Sequence, residues 1–151
     1  MIGLTDIEKR FGDNLVLKGV TVTIEEGSVT ALVGPSGGGK STLLRCINLL
    51  EIPTSGTVRI GDDALEFHPG GKVPGRVIQR LRLQTGMVFQ NFALLPHLNV
   101  LENIAFPLGI QGQDRPTREE RAREVIELVG LRGREHFYPR ELSGGQQQRV
   151  G

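Results

Sequence analysis

The 151-residue chain has no tryptophan, one tyrosine and one cysteine, so no dense aromatic cluster and no disulfide framework can define it. A lone thiol, Cys46, excludes an intramolecular disulfide and any cysteine-rich zinc site, and it points to a reducing compartment. No apolar run is long enough to cross a bilayer, and Met1-Ile2-Gly3-Leu4-Thr5-Asp6 lacks the basic region followed by an apolar stretch that marks a leader. Neither secretion nor a membrane span is therefore expected of these residues. A charge of one sign is missing too. Eighteen basic and 17 acidic residues leave a formal net charge of +1, and neither half carries a strong excess, so no global field draws the chain to nucleic acid or to an anionic membrane. Length for two domains is also lacking, and the chain suits one domain or part of a larger one.

With 38% apolar and 23% charged residues an ordinary core can form. Glycine is the abundant residue, 21 in all, about twice the usual share of roughly 7%. Residues 2–7 and 20–24 alternate as strands do, and residues 29–33 are nearly all apolar or β-branched, which predicts a strand covered on both faces in a parallel sheet. From Lys40 to Leu50 the residues Leu43, Leu44, Ile47 and Leu50 recur at helical spacing, and Pro53 stops the segment. Residues 56–60 and 85–89 read as further strands, and 61–76 as a polar loop. Thr117 and Glu120 form a capping-box pattern ahead of Ala122, Val125, Ile126 and Val129, with Gly130 where a helix-ending glycine belongs. The charged face of that helix reads as a solvated one.

The glycines fall in two clusters. The first, Gly34-Pro35-Ser36-Gly37-Gly38-Gly39-Lys40-Ser41-Thr42, satisfies G-x-x-x-x-G-K-[ST], the P-loop pattern, between an apolar stretch and an amphipathic helix. Glycines let successive N–H groups turn inward on phosphate oxygens, and the helix that follows offers about half a positive charge at its N-terminus. Lys40 can reach the β- and γ-phosphates, and the Ser41 hydroxyl is a hard ligand for Mg²⁺. The second cluster lies in Leu142-Ser143-Gly144-Gly145-Gln146, where Ser143 is a plausible N-cap and the glycines expose backbone donors at a helix start. Alone it would read as a turn capping a surface helix.

Together the clusters resemble the ATP-binding cassette family, whose P-loop is followed at this distance by the signature Leu-Ser-Gly-Gly-Gln. The resemblance spans nearly the whole chain. It implies an α/β P-loop NTPase core sheet with N-terminal antiparallel strands and a helical subdomain. Residues 1–90 would be the nucleotide-binding core with its β subdomain, and 91–151 the helical subdomain bearing the signature. Phe11 matches the aromatic that stacks on adenine, although an edge-of-core phenylalanine would look the same. Gln90, in Met87-Val88-Phe89-Gln90-Asn91-Phe92, matches the glutamine that reaches the metal and the attacking water. The binding set implied is Phe11, Gly34, Pro35, Ser36, Gly37, Gly38, Gly39, Lys40, Ser41, Thr42, Ser143, Gly144, Gly145 and Gln146, with Lys40 and Gln90 acting in catalysis and Ser41 and Gln90 on Mg²⁺. Residues 92–104 are similar to the segment of bacterial importer ATPases that begins the helical subdomain and contacts the membrane subunit. His97, within it, has no second ligand at metal spacing and reads as a solvated or packing residue.

What the resemblance implies for function is an ATP hydrolase that pairs with a second copy or a related subunit. ATP would lie between the P-loop of one and the signature of the other, driving separate transmembrane permease subunits served indirectly by a solute-binding protein. Such a subunit sits in the cytoplasm on the inner face of the membrane. Phe67-His68-Pro69-Gly70 and residues 83–90 are similar to subunits for polar amino acid uptake, whereas Gln148-Arg149-Val150-Gly151 also occurs in importers of compatible solutes such as glycine betaine. An exporter and a non-transport cassette ATPase stay open, while a nucleic-acid-acting cassette is disfavoured because no sustained heptads separate Lys40 from Ser143. The sequence departs from the family after Gly151, where the Walker B strand, catalytic glutamate and switch histidine would follow. His68, His97 and His136 all precede the signature. Truncation before the Walker B strand, poor folding in isolation and little or no turnover are the expectations for residues 1–151 alone.

Overall fold

The computed structural model describes residues 1–89 and 92–151, and these divide into two units, Met1–Met87 and Val88–Gly151. Alternation in the first quarter of the chain builds two long antiparallel strands, β1 (Ile2–Phe11) and β2 (Asn14–Ile24), joined by a tight turn. Within β1 the core side chains are Leu4 and Ile7, an odd spacing of three. A bulge resolves it: the register with β2 shifts between these residues, and Asp6 takes a φ of 49°, which returns Ile7 to the buried face. On the other edge of β1 lies β3 (Ser55–Ile60), followed by β4 (Asp63–Phe67), giving an all-antiparallel sheet in the order β2-β1-β3-β4.

Two short helices cover this sheet, α1 (Lys40–Ile47) and α2 (Gly75–Arg82). Leu43, Cys46 and Ile47 of α1 and Leu81 of α2 join Leu4, Ile7, Leu17, Val58, Ile60 and Phe67 in one core. The burial of α1 differs from the periodicity of its sequence. Leu44 and Leu50 are exposed, and Cys46 and Leu49 take their places inside. The helix ends at Ile47, and Leu49 adopts a left-handed φ of 58° that turns its side chain into the core. The strain is of the order of 1–2 kcal/mol, comparable with the roughly 1.5–3 kcal/mol that full burial of a leucine contributes. Burial pushes the Cys46 thiol up to about 11, so it stays protonated and unreactive at neutral pH.

Several expectations are corrected in this unit. Residues 29–33 form no strand, and Val29 and Val33 are 100% and 92% exposed. A buried parallel strand needs a hydrogen-bonding neighbour, and the four described strands pair with one another in a sheet that does not include these residues. Residues 85–89 likewise form no strand. The supposed loop over 61–76 contains β4 and leads into α2, whose first residue is Gly75.

The second unit is helical: α3 (Val100–Ile110), α4 (Arg115–Leu128), a 3₁₀ turn at Pro139–Glu141 and α5 (Gly144–Val150). Its core is Val100, Leu101, Ala105, Ala122, Ile126, Leu131 and Leu142. The start of α3 is fully satisfied. Asn99 and Glu102 close a capping box, and the amides of Val100 and Leu101 donate to the carbonyls of Phe137 and Glu135. For α4 the expected cap moves three residues upstream: Asp114, not Thr117, is the N-cap, and its carboxylate accepts from the Thr117 amide at 3.1 Å. Pro116 in the first turn is compatible with that start, since the first amides of a helix have no partner in the helix. Gly130 follows the C-cap with a φ of 67°, as the sequence predicts.

Candidate functional site

The first glycine cluster sits in the first unit and runs directly into α1. Gly39 is the N-cap, in a left-handed conformation with φ 82°, and no side chain caps the helix. The first turn also contains no acidic residue. The amides at the start of α1 thus keep their donors and the positive end of the helix is not neutralised, in contrast to α3 and α4. A methyl group added at Gly39 would stand 3.0 Å from Leu17 Cδ2 and 3.4 Å from Val16 Cγ1, so glycine is what lets the helix start lie this close to β2. Upstream, the Gly38 amide donates to Pro35 O at 3.2 Å, which curls the loop.

Lys40 completes the curl. Its ammonium donates to Gly34 O at 2.9 Å and to Pro35 O at 2.7 Å. Both acceptors are neutral, so the charge is not compensated by them. Between loop and sheet is a cleft of about 380 Å³ lined by Val16, Ser36, Gly37, Gly38, Gly39, Lys40, Ser41 and Thr42. The volume lies within the range of roughly 300–1,000 Å³ usual for small-molecule sites. Backbone donors, one ammonium and the Ser41 and Thr42 hydroxyls converge there, a set suited to several anionic oxygens and a hard cation.

The loop residues that line the cleft, Ser36 to Thr42, are all among those named from the sequence, whereas Val16 is not. Val16 lines the cleft from β2, which the sequence pattern does not reveal. Phe11 is at the far end of β1, opposite Asn14, and 46% exposed. Its ring lies 4.8 Å beneath Lys9 Nζ and is not among the residues lining the cleft. Gln90, expected on the metal and the attacking water, lies outside the described residues. Among the described residues no group of three or more His, Cys, Asp or Glu could hold a metal, and His97 is exposed.

The second cluster is in the second unit. Ser143 is the N-cap of α5, as expected from the sequence. Its hydroxyl accepts from the Gln146 amide at 3.3 Å, and Gln146 Oε1 accepts from the Ser143 amide at 2.9 Å. Gln147 Nε2 donates to Pro139 O and Leu142 O, fixing the turn that precedes the helix, and Leu142 anchors it in the core. Ser143, Gly144 and Gly145 are exposed.

A phosphate-type loop at residues 34–42 and an exposed glycine helix start at 143–146 are the features by which one large family is defined, and the ABC transporter family model matches residues 17–151. The chain belongs to that family. It is 46% identical over 150 residues to the L-cystine transport system ATP-binding protein TcyN of Escherichia coli, covering 99% of this chain and 60% of that protein. It is 50% identical over 135 residues to the trimethylamine N-oxide transport system ATP-binding protein TmoW of Ruegeria pomeroyi, covering 89% and 38%. A solved dimeric ATP-binding cassette in a post-hydrolysis state, bound to ADP and phosphate, superposes with a TM-score of 0.82 at 34% identity, over 99% of this chain and 66% of that one. The α/β P-loop fold expected from the two clusters is thus shown. The chain spans about 60% of the length of the cystine relative, and no helix among the described residues of this ABC-family chain is long and apolar enough to cross a membrane.

Proposed function

We propose that this chain carries the ATP seat of an importer's ATP-binding subunit, which couples ATP binding and hydrolysis to uptake of a small polar solute, an amino acid first of all, through separate transmembrane subunits. The observation that carries the reading is the uncapped start of α1 beneath a glycine loop whose lysine, among the described residues, is met by neutral carbonyls alone. In this reading residues 1–90 form the nucleotide-binding core and 91–151 the helical subdomain.

The roles follow from the chemistry of each group. Backbone amides of residues 36–42 donate to the phosphate oxygens, and Lys40 exchanges the carbonyls of Gly34 and Pro35 for β- and γ-phosphate oxygens, a stronger, charge-assisted pairing. The Ser41 hydroxyl is exposed at the helix start and, with Gln90, offers the hard oxygen donors that Mg²⁺ takes. The bound ion would supply charge neutralisation between the two terminal phosphates. Phe11, 46% exposed, is the aromatic that would stack on adenine. Two copies, or this chain and a related subunit, pair so that Ser143, Gly144, Gly145 and Gln146 of one meet the γ-phosphate held by the other, which makes ATP the bridge between them. The dimeric, ADP-bound cassette with the same fold supports that arrangement. The subunit then works in the cytoplasm against the inner face of the membrane, alongside permease subunits that a solute-binding protein supplies, with no nucleic acid involved.

Isothermal titration of the full chain with MgATP tests the seat directly: saturable binding that Lys40→Ala weakens by about tenfold or more is expected, and absence of binding by the unaltered chain refutes it. A second substrate reading, compatible solutes, draws support from the 50% identity to the trimethylamine N-oxide system. Uptake of labelled amino acids against quaternary amines, in vesicles carrying the complete transporter, separates the two.

A further inference from the structure

The helix that begins at the phosphate loop is held at its other end by two side-chain contacts that the nucleotide reading does not use. Arg82, the last residue of α2, reaches across to the end of α1, where its guanidinium donates to Leu49 O at 2.6 Å. Asn48, the C-cap of α1, donates from Nδ2 to the Met87 thioether at 2.8 Å. Between these two points the chain is fixed locally. Thr85 donates its amide to Arg82 O at 3.2 Å, and Gln84 Nε2 donates to Asp63 Oδ2 at 2.6 Å. Arg82 is therefore a junction. Its side chain takes the carbonyl of Leu49, two residues past the last residue of α1, and its own carbonyl accepts from Thr85 in the turn that leads to Met87.

At the opposite end of the same helix stands the lysine that closes the phosphate loop. Lys40 Nζ bonds to Gly34 O and Pro35 O, and an incoming phosphate competes for those donors, so anion capture has to reorganise the loop that opens α1. Two turns of helix with Leu43, Cys46 and Ile47 locked in the core transmit such a shift as a body rather than absorb it. We propose that Arg82 and Asn48 are positioning residues that couple the 83–87 segment to α1, so that phosphate capture at the N-terminal end of the helix is felt by that segment at its C-terminal end. The inference rests on the nucleotide-seat reading, and it extends that reading from a binding loop to a linkage between two surface segments.

Amide hydrogen exchange over residues 83–87 of the full chain, with and without saturating MgATP, reads the linkage. In the unaltered chain, nucleotide should slow exchange there by at least about fivefold. In Arg82→Ala the slowing should fall below about twofold while the affinity for MgATP stays within about threefold, and Arg82→Lys, which keeps one cationic donor, should restore part of it. A merely structural role would instead raise exchange equally in both states and leave the ratio intact. Should Arg82→Ala fail to fold, Asn48→Ala provides the same comparison with a smaller perturbation. An undiminished response in the variants, or no response in an unaltered chain that binds MgATP, overturns the proposal. A chain that binds no MgATP refutes the nucleotide seat itself, and the linkage with it.

Discussion

Gly37 and Gly39 belong to the same loop, share a left-handed backbone and differ in surroundings, so alanine at each separates two costs. Gly37 has φ 76° with no atom within 4 Å of where a methyl would stand, and Gly39 has φ 82° with Leu17 Cδ2 at 3.0 Å and Val16 at 3.4 Å. Left-handed backbone costs an L-residue about 1–2 kcal/mol, and this applies to both substitutions. Only Gly39→Ala adds overpacking. Leu17 is buried at 4% exposure and cannot swing into solvent, so the neighbour must yield by a few tenths of an ångström inside the core. Overpacking of that kind costs about 1–3 kcal/mol. Gly39→Ala should therefore lose about 2–5 kcal/mol and Gly37→Ala about 1–2 kcal/mol. Urea unfolding followed by circular dichroism, with a common slope, gives the difference directly. Equal losses within about 0.3 kcal/mol, or a neutral Gly39→Ala, would refute the claim that close approach to β2 is what requires glycine there.

Lys40→Ala should leave the unfolding midpoint nearly unchanged, because among the described residues the ammonium bonds to two exposed loop carbonyls alone, yet abolish any nucleotide turnover; sustained hydrolysis by the full chain that this substitution stops would contradict the expectation that residues 1–151 turn over little. Ile126→Ala removes a side chain 1% exposed in the second core and should destabilise it by about 2–5 kcal/mol, measured by loss of helical signal from α3 and α4 in denaturant. Asp114 is held below its ordinary value of 3.8 by the Thr117 amide and hydroxyl. A depressed folded-state value means that its contribution is present above about pH 4 and lost as the pH falls below it. Unfolding midpoints at pH 6 and pH 3 should therefore diverge less in Asp114→Asn than in the unaltered chain, and an equal divergence counts against the cap.

The parts of this molecule that were legible in the sequence are those whose reasons are local. The loop at 34–42, the cap at Ser143 and the glycine after α4 each depend on residues close together in the chain. Alternation gave β1, β2 and β3, but their true ends reach to Phe11 and Asn14 because pairing extends past the alternating stretch. What stayed hidden was set by distant partners. Residues 29–33 have the composition of a buried strand, yet no described strand lies beside them, and composition says nothing about neighbours. The start of α2 carries no side-chain cap, and β4 owes its place to β3, with Asp63 engaged by Arg80 and Gln84 from the α2 side. In α1 periodicity named Leu44 and Leu50 as core, but a helix of eight residues followed by a left-handed Leu49 rotates the apolar face by one position.

The two glycine clusters open helices in opposite states, and the difference bears on how each meets a ligand. At α1 no side chain among the described residues caps the first turn, so the amides and Lys40 are available together. At α5 Ser143 and Gln146 satisfy each other, which uses the Ser143 oxygen as an acceptor and leaves its hydroxyl with a proton to donate. Gly144 and Gly145 have neither a left-handed backbone nor any atom within 4 Å of where a methyl would stand. Conformation does not demand glycine there, and packing among the described residues does not either. The pairing proposed above gives both glycines a reason, since a phosphate group held by a second copy would meet a bare backbone at that helix start.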